Sequence, residues 1–197
     1  MFYIRLVNAL RARGQSVLAI TIPGGHIANR LHSEVAQVHV PMRGIWDLPS
    51  RWQIGAILRE HQPDIVQTYM GRATRLTSLP PNRQPIHLAR FGGYYDLHGF
   101  QHAHAWIAAS PGIRNYLIKN GFPVNRVFHI SNFVPPYQPS ATADLQQLRR
   151  QLAIPAEALI VTAVGRLHPV KGFDDLLSAF ASVPSTIDAR PVYLIVV

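Results

Sequence analysis

The stretch that most constrains the fold is Leu159-Ile-Val-Thr-Ala-Val-Gly165-Arg166-Leu-His-Pro-Val-Lys171-Gly172-Phe-Asp-Asp-Leu-Leu-Ser-Ala-Phe180. Its β-branched apolar run, Leu159 to Val164, reads as a buried strand. Gly165 ends that run. Gly172 opens a segment in which Phe173, Leu176, Leu177 and Phe180 recur at helical spacing. Asp174 and Asp175 fall in the first turn of that helix, where the peptide dipole favours acids. A strand, a short loop and a helix in this order form half of a parallel βαβ unit. Arg166 and Lys171 leave the carboxyl end of the strand beside a helix N-terminus, where open α/β sheets bind ligands. An Arg can clamp a phosphate through two parallel hydrogen bonds, and a Lys adds a point charge. Taken alone, the motif is equally compatible with two solvated cations on a loop.

The rest of the chain repeats the alternation of strand and helix. Helices are predicted over residues 2–12, 48–61, 72–79, 111–119 and 145–152. Strands are predicted over 16–22, 35–40, 64–68, 86–91, 106–109, 127–131 and 192–197. Gly14 supplies a helix stop, Pro23-Gly24-Gly25 and Pro80-Pro81 supply turns, and Pro111 suits a first helical turn. This order implies a parallel, right-handed, doubly wound sheet. Pro135-Pro136-Tyr137-Gln138-Pro139 reads as a linker. The expected organisation is a first domain over 1–135, a linker and lead-in helix over 136–152, and the start of a second domain over 153–197.

Two blocks in this order carry a family resemblance. The first is Trp106-Ile-Ala-Ala-Ser110, then Ile113, Tyr116, Leu117 and Gly121-Phe122, then Arg126-Val-Phe-His-Ile-Ser-Asn132-Phe-Val134. The second is the G-R-L-x-x-x-K-G-x-D-x-L-L-x-A-F run from Gly165 to Phe180. Together they resemble retaining GT-B glycosyltransferases of the family-4 type, weakly before residue 60. The resemblance implies an α/β, GT-B-like fold: a Rossmann-like parallel-sheet domain on the acceptor side, plus the beginning of a second, donor-binding Rossmann-like domain. It implies a nucleotide-diphosphate sugar as donor and a glycan or lipid-linked acceptor, such as lipopolysaccharide. Transfer would proceed with retention, without metal or other cofactor. Arg166 and Lys171 would bind the donor diphosphate, with Gly165, Gly172 and Asn132 lining the donor cleft. Gly92, Gly93 and Tyr94 would lie towards the acceptor.

The chain departs from the pattern at Ser131 and Phe133, where the family's I-P-N-G-V element has Pro and Gly. Many members carry a His near Gly93. Here the nearest are His87 and His98, so no catalytic residue is assigned. The family's first strand, with its Gly-rich turn, and its E-x7-E element have no counterpart in this sequence. Truncation at both ends, and inactivity of the chain by itself, are therefore the expectations.

The net charge of +9 narrows the partners. Up to Pro135, 14 Lys and Arg face 5 acids; after it, 5 face 5. The excess thus belongs to the first domain, and a basic face there suits an anionic membrane surface. No nucleic-acid-reading motif accompanies it, so nucleic acid is not expected. With no Cys there is no thiolate metal site or Cys nucleophile. No window is long and apolar enough for a membrane span or a signal peptide, and the expected location is cytoplasmic or peripheral on the inner membrane face.

His98-x-x-x-His102-x-His104 has two His at helical spacing, but no acid motif completes a site, and it reads as a solvated loop. P-loop and G-x-S-x-G motifs are absent. Two other readings remain. One is a non-catalytic basic module binding a membrane or partner. The other is a GT-B nucleotide-sugar epimerase, against which the Arg166 and Lys171 spacing argues.

Overall fold

The computed structural model describes residues 2–80, 84–134, 136 and 139–197. Pro81 of the Pro-rich turn, and Pro135, Tyr137 and Gln138 of the linker, lie outside the described residues. The chain divides into two compact units, Met1–Pro135 and Pro136–Val197.

In the first unit α1 (Phe2–Ala12) turns Ile4 and Val7 inward and closes at Gly14, whose φ of +76° only Gly adopts without strain. Strand β1 (Leu18–Thr21) pairs in parallel with β2 (Ala36–His39). Successive side chains of a strand point to opposite faces. Ala19 accordingly packs with Ile4, Val7, Leu31 and Val35, while Leu18 and Ile20 pack with Ile54 and Ile57 of α2 (Leu48–His61). Helices therefore cover both faces, the doubly wound arrangement expected.

Asp47 caps α2: its carboxylate accepts from the Ser50 amide (3.1 Å), the Ser50 hydroxyl (2.7 Å) and the Arg43 amide (2.8 Å). The Ser50 hydroxyl first, and then the two amides, hold this carboxyl below the usual carboxylate range.

Four parallel strands form the larger sheet in the order β3 (Ile65–Tyr69), β4 (Ile86–Phe91), β5 (Ala105–Ala108), β6 (Val127–His129). Helices α3 (Met70–Leu76) and α4 (Pro111–Lys119) follow β3 and β5. α3 begins two residues earlier than expected because Met70, at φ +66°, turns the chain straight from strand into helix. β6 stops short of Ser131: its pairing reaches only Ala108↔His129, followed by one further bond from the Ile130 amide to the Ala108 carbonyl. The main core is built on this sheet from Phe91, Phe100, Trp106, Leu117 and Phe122, with Phe91 and Phe100 centroids 4.1 Å apart.

The second unit holds α5 (Thr142–Gln151), β7 (Leu159–Ala163), α6 (Phe173–Phe180), β8 (Thr186–Ile187) and β9 (Arg190–Val196). β7 runs parallel to β9, and β8 joins β9 antiparallel. The expectation of a buried strand over 159–164 is corrected here. β7 is at most half-buried, and Val161 and Val164 are exposed. Three strands and two helices in a unit of about 60 residues enclose little volume. Ile154 and Ala158 are its only buried hydrophobic residues among those described.

The three His near β4 take internal roles. Each hydrogen can be placed because carbonyl oxygens only accept. The Nε2–H of His102 donates to Thr74 O (2.9 Å) and Thr77 O (2.8 Å). The Nε2–H of His104 donates to Pro80 O (3.2 Å), leaving its Nδ1 to accept the His87 amide (2.9 Å). His87 Nε2–H donates to Thr68 Oγ1 (2.9 Å), which donates to Thr74 Oγ1 (2.9 Å), which donates to Met70 O (2.8 Å). His87 Nδ1 is buried without a partner.

Burial first, and then the neighbouring His102 and His104, pull the His87 pKa from 6.5 to about 4. The fold therefore favours neutral imidazole, whereas the unfolded chain takes up a proton near pH 6.5. Stability should be complete above that pH and fall by roughly 3 kcal/mol as pH drops from 6.5 to about 4. Urea midpoints measured across that window should show this slope, and His87→Gln should flatten it. A wild-type stability that does not fall between these values would contradict the assignment.

Candidate functional site

Parallel strands bring their carboxyl ends to one edge, and the candidate residues of each unit lie at such ends. In the second unit Gly165 follows β7, its amide donating to Val197 O (2.9 Å). Pro169–Lys171 forms a single tight turn, entered through the His168 side chain, which accepts the Val170 amide (3.3 Å). Gly172 then adopts φ +64°, which directs the chain into α6.

A Cβ on Gly165 would sit 3.3 Å from the Phe173 ring and 3.8 Å from Lys171 Cγ. The Lys171 stem therefore folds back beside Gly165, next to Arg166. Both cations are exposed, and neither forms an ion pair among the described residues. The two head groups are free to take an anion.

In the first unit Gly92 and Gly93 follow β4, as expected from the sequence, and Tyr95 lies over both. A Cβ on Gly93 would meet the Tyr95 ring at 3.4 Å. Tyr95 itself stacks on Phe91 and Phe100. Tyr94 points outward, with its ring edge-on to Tyr116 at 5.2 Å. Its hydroxyl hangs over the start of α4, 2.8 Å from where a Cβ on Gly112 would be. Among these aromatics Tyr94 is exposed, Tyr95 is half-buried and Phe100 belongs to the core.

Asn132 is exposed but anchored: its Oδ1 accepts from Arg90 Nη2 (3.0 Å), and the same nitrogen donates to Ile130 O (2.9 Å). Arg90, at the end of β4, is 4% exposed. Its guanidinium lies 3.7 Å from the Phe2 ring centroid and forms no ion pair among the described residues. Burial lowers its pKa, and Tyr69 opposes that shift. Burial pushes the Tyr69 hydroxyl up, Tyr3 adds to the rise, and Arg90 opposes it. Arg5 Nη1 donates to Phe133 O (3.1 Å), and the Phe2 and Phe133 rings meet edge-on at 5.0 Å. α1 thus clasps the segment after β6 through one hydrogen bond and one ring pair.

Arg90 escaped the sequence reading. Its signal was a lone cation in the run Ile86-His-Leu-Ala-Arg-Phe91, where a strand buried on both faces should be apolar. Among the described residues no cluster of three or more His, Asp or Glu has the geometry to hold a metal ion. No helix among them is long and apolar enough to cross a membrane.

With this geometry in place, sequence comparison identifies relatives. Lipopolysaccharide core biosynthesis glycosyltransferase LpsD of Rhizobium meliloti (strain 1021) is 28% identical over 190 residues, 94% of this chain and 52% of LpsD. This chain is similar to glycosyltransferases of lipopolysaccharide core assembly. LpsE of the same organism is 26% identical over 186 residues, 93% of this chain and 52% of LpsE. The chain spans about half the length of the curated relatives it matches. No family model matches.

The fold is also that of solved glycosyltransferases. The structure of a glycosyltransferase from Rickettsia africae ESF-5 superposes with a TM-score of 0.76 at 16% identity, over 99% of this chain and 55% of that one. Anabaena Alr3699/HepE, solved in complex with UDP and glucose, gives 0.73 at 16% identity, over 99% and 56%. The α/β architecture with parallel sheets matches theirs.

Arg90→Ala should lower the unfolding free energy of the first unit by about 2 to 3 kcal/mol, because two oxygens lose a charged donor. Arg90→Lys should restore less than half of that, since an ammonium lacks the planar fork. Asn132→Ala, at an exposed position, should cost about 1 kcal/mol or less. Urea unfolding of the three variants separates these outcomes, and an Arg90→Ala variant as stable as wild type would refute the anchoring role.

Proposed function

We propose that the protein is a retaining glycosyltransferase of cell-surface polysaccharide synthesis. It would transfer a sugar from a nucleoside-diphosphate sugar to a lipopolysaccharide core or related lipid-linked glycan on the cytoplasmic side of the membrane. The observation that carries this reading is the similarity to LpsD across 94% of the chain. It includes the stretch where Arg166 and Lys171 stand exposed after β7 with no ion pair among the described residues. The UDP and glucose held by the Anabaena protein support the donor class. The names of the relatives favour a transferase over an epimerase or a non-catalytic module.

In this reaction the bond from the anomeric carbon to the diphosphate oxygen breaks, and a bond from that carbon to the acceptor hydroxyl oxygen forms on the same face. The hydroxyl proton passes to the departing diphosphate oxygen as that oxygen gains charge, so the products are the glycoside and the protonated nucleoside diphosphate. Arg166 would clamp a phosphate through its fork, and Lys171 would add a charge from the adjoining turn. Both are in place before charge develops, so they favour the transition state more than the ground state. The pair would do for the leaving group what a divalent cation does elsewhere, and no metal is required in this scheme. In the first unit, Asn132 held by Arg90 offers a fixed amide, and exposed Tyr94 offers a ring face and a hydroxyl to a sugar.

In a version extended to the full length of its relatives, turnover is measured as release of nucleoside diphosphate from a panel of nucleotide sugars, with and without lipopolysaccharide core acceptor. Arg166→Ala and Lys171→Ala should each lower kcat/KM by about a hundredfold to a thousandfold, leaving the melting temperature unchanged. Unchanged turnover in both variants would remove the donor-clamp assignment. Diphosphate release that ignores the acceptor would remove the transferase reading.

A further inference from the structure

Among the described residues Arg90 is the only Lys, Arg, Asp or Glu that is buried, and one of the groups it holds is exposed. It stands near the end of β4, where its Nη2 donates to Ile130 O (2.9 Å) and to Asn132 Oδ1 (3.0 Å). A guanidinium only donates, so the amide atom turned towards it is the oxygen, and Asn132 Nδ2 is turned away. That nitrogen finds no acceptor among the described residues, at a position that is exposed.

The backbone on either side of Asn132 is held as well. The Ile130 amide donates to Ala108 O (3.0 Å). Arg5 Nη1 donates to Phe133 O (3.1 Å), and the Phe2 and Phe133 rings meet edge-on. The Ser131 hydroxyl lies 3.0 Å from His129 Nε2, so those two side chains engage each other. The two Nδ2 hydrogens of Asn132 are left over, at the sheet edge that also carries Gly92 and Gly93.

As a fastening alone this arrangement is weak. A guanidinium buried without an acid loses hydration that two neutral oxygens offset only in part. The bond to Ile130 O already ties β4 to the chain after β6. The second bond restrains an exposed amide. A hydrogen bond there adds little stability, but it removes the freedom of the amide to flip and rotate. Donors that are ordered before a ligand arrives need no ordering on binding, and a pair of N–H groups selects a ligand oxygen that accepts.

We propose that Arg90 is a positioning residue: it sets the Asn132 amide with Nδ2 outward, so that this nitrogen donates to a hydroxyl oxygen of a bound sugar. The choice of a sugar as ligand rests on the glycosyltransferase reading above; the setting of the amide rests on the Arg90 geometry alone.

Two NMR measurements on the full chain test this. In the first, Asn132→Asp puts a carboxylate against Arg90. Its carboxyl should titrate about one unit below an ordinary aspartate, and Arg90→Gln should return it to the ordinary range. A carboxyl that titrates normally beside Arg90 would overturn the proposal. In the second, the side-chain amide signals of Asn132, assigned by their loss in Asn132→Ala, are followed as ligand is added. The probes are UDP-glucose, UDP alone and a lipid-free lipopolysaccharide core oligosaccharide. The signals should shift with UDP-glucose, which assigns the contact to the donor sugar, or with the oligosaccharide, which assigns it to the acceptor. UDP alone should leave them in place. Arg90→Gln and Asn132→Ala should each weaken binding of the responding ligand about threefold to tenfold, and the two together no further. Signals silent to both sugars, an equal response to UDP alone, or losses that multiply in the double variant would overturn the proposal. If a melting curve shows that Arg90→Gln does not fold, the Asn132→Asp titration and the wild-type response decide. Transfer by the extended version is scored separately. Transfer with a silent amide removes this proposal and leaves the transferase reading; a responding amide without transfer does the reverse.

Discussion

Because β3, β4, β5 and β6 all run the same way, every return crosses a face of the sheet, and every strand delivers its carboxyl end to one edge. That alignment places Arg90, the Gly92-Gly93 pair, Ser110 at the head of α4, and the segment from Ile130 to Val134 at the same edge. They come from three separate stretches of the sequence, residues 90–93, Ser110 and residues 130–134. Parallel pairing also demands cover on both faces, which α1 and α2 provide around β1 and β2, and α4 provides over β5 and β6. The second unit repeats the device on a smaller scale. β7 and β9 run parallel, and the carboxyl end of β7 presents Arg166 and Lys171.

Arg90 shows how such an edge is kept in shape. A buried guanidinium is expensive unless its donors find oxygens. Here one nitrogen serves both Ile130 O and Asn132 Oδ1, and the Phe2 ring covers the cation's face. The same charge that ties β4 to the chain after β6 therefore fixes the amide of Asn132 at the surface. Tyr95 does a comparable job for Gly93, filling with an aromatic ring the space that the absent Cβ leaves. The edge is rigid where it meets the core and polar where it meets solvent.

Charge is divided between the units with a physical logic. The first unit holds the entire cationic excess, and its exposed arginines on α2 lie beside exposed tryptophans. The second unit is neutral in total, yet Arg166 and Lys171 form no ion pair among the described residues. A diffuse positive field and a localised pair of cations serve different ends. A diffuse field reaches over a Debye length, whereas a localised pair of cations acts at contact distance.

The sequence by itself determined the order of strands and helices, and with it the α/β class. Helices over 2–12, 48–61 and 111–119 and the strand over 86–91 begin and end where read, because local chemistry closes them: Gly14 at one end of α1, the Asp47 cap before α2, Ser110 and Pro111 at the start of α4. The Arg166 and Lys171 loop was legible for the same reason, since its turn and glycines are local. Strand ends were less legible. β1, β2 and β6 stop where a partner strand stops, and no residue within them announces it.

Only the tertiary structure decided that β7 is half-exposed, that Tyr95 lies over Gly93, and that His87, His102 and His104 spend their hydrogens on Thr68 and backbone carbonyls. It alone brought Arg90 to Asn132, across 42 residues of chain. Periodicity and turn chemistry are properties of neighbours in sequence. Burial and long-range hydrogen bonds are properties of neighbours in space, and they exist only once the sheet has closed around its core.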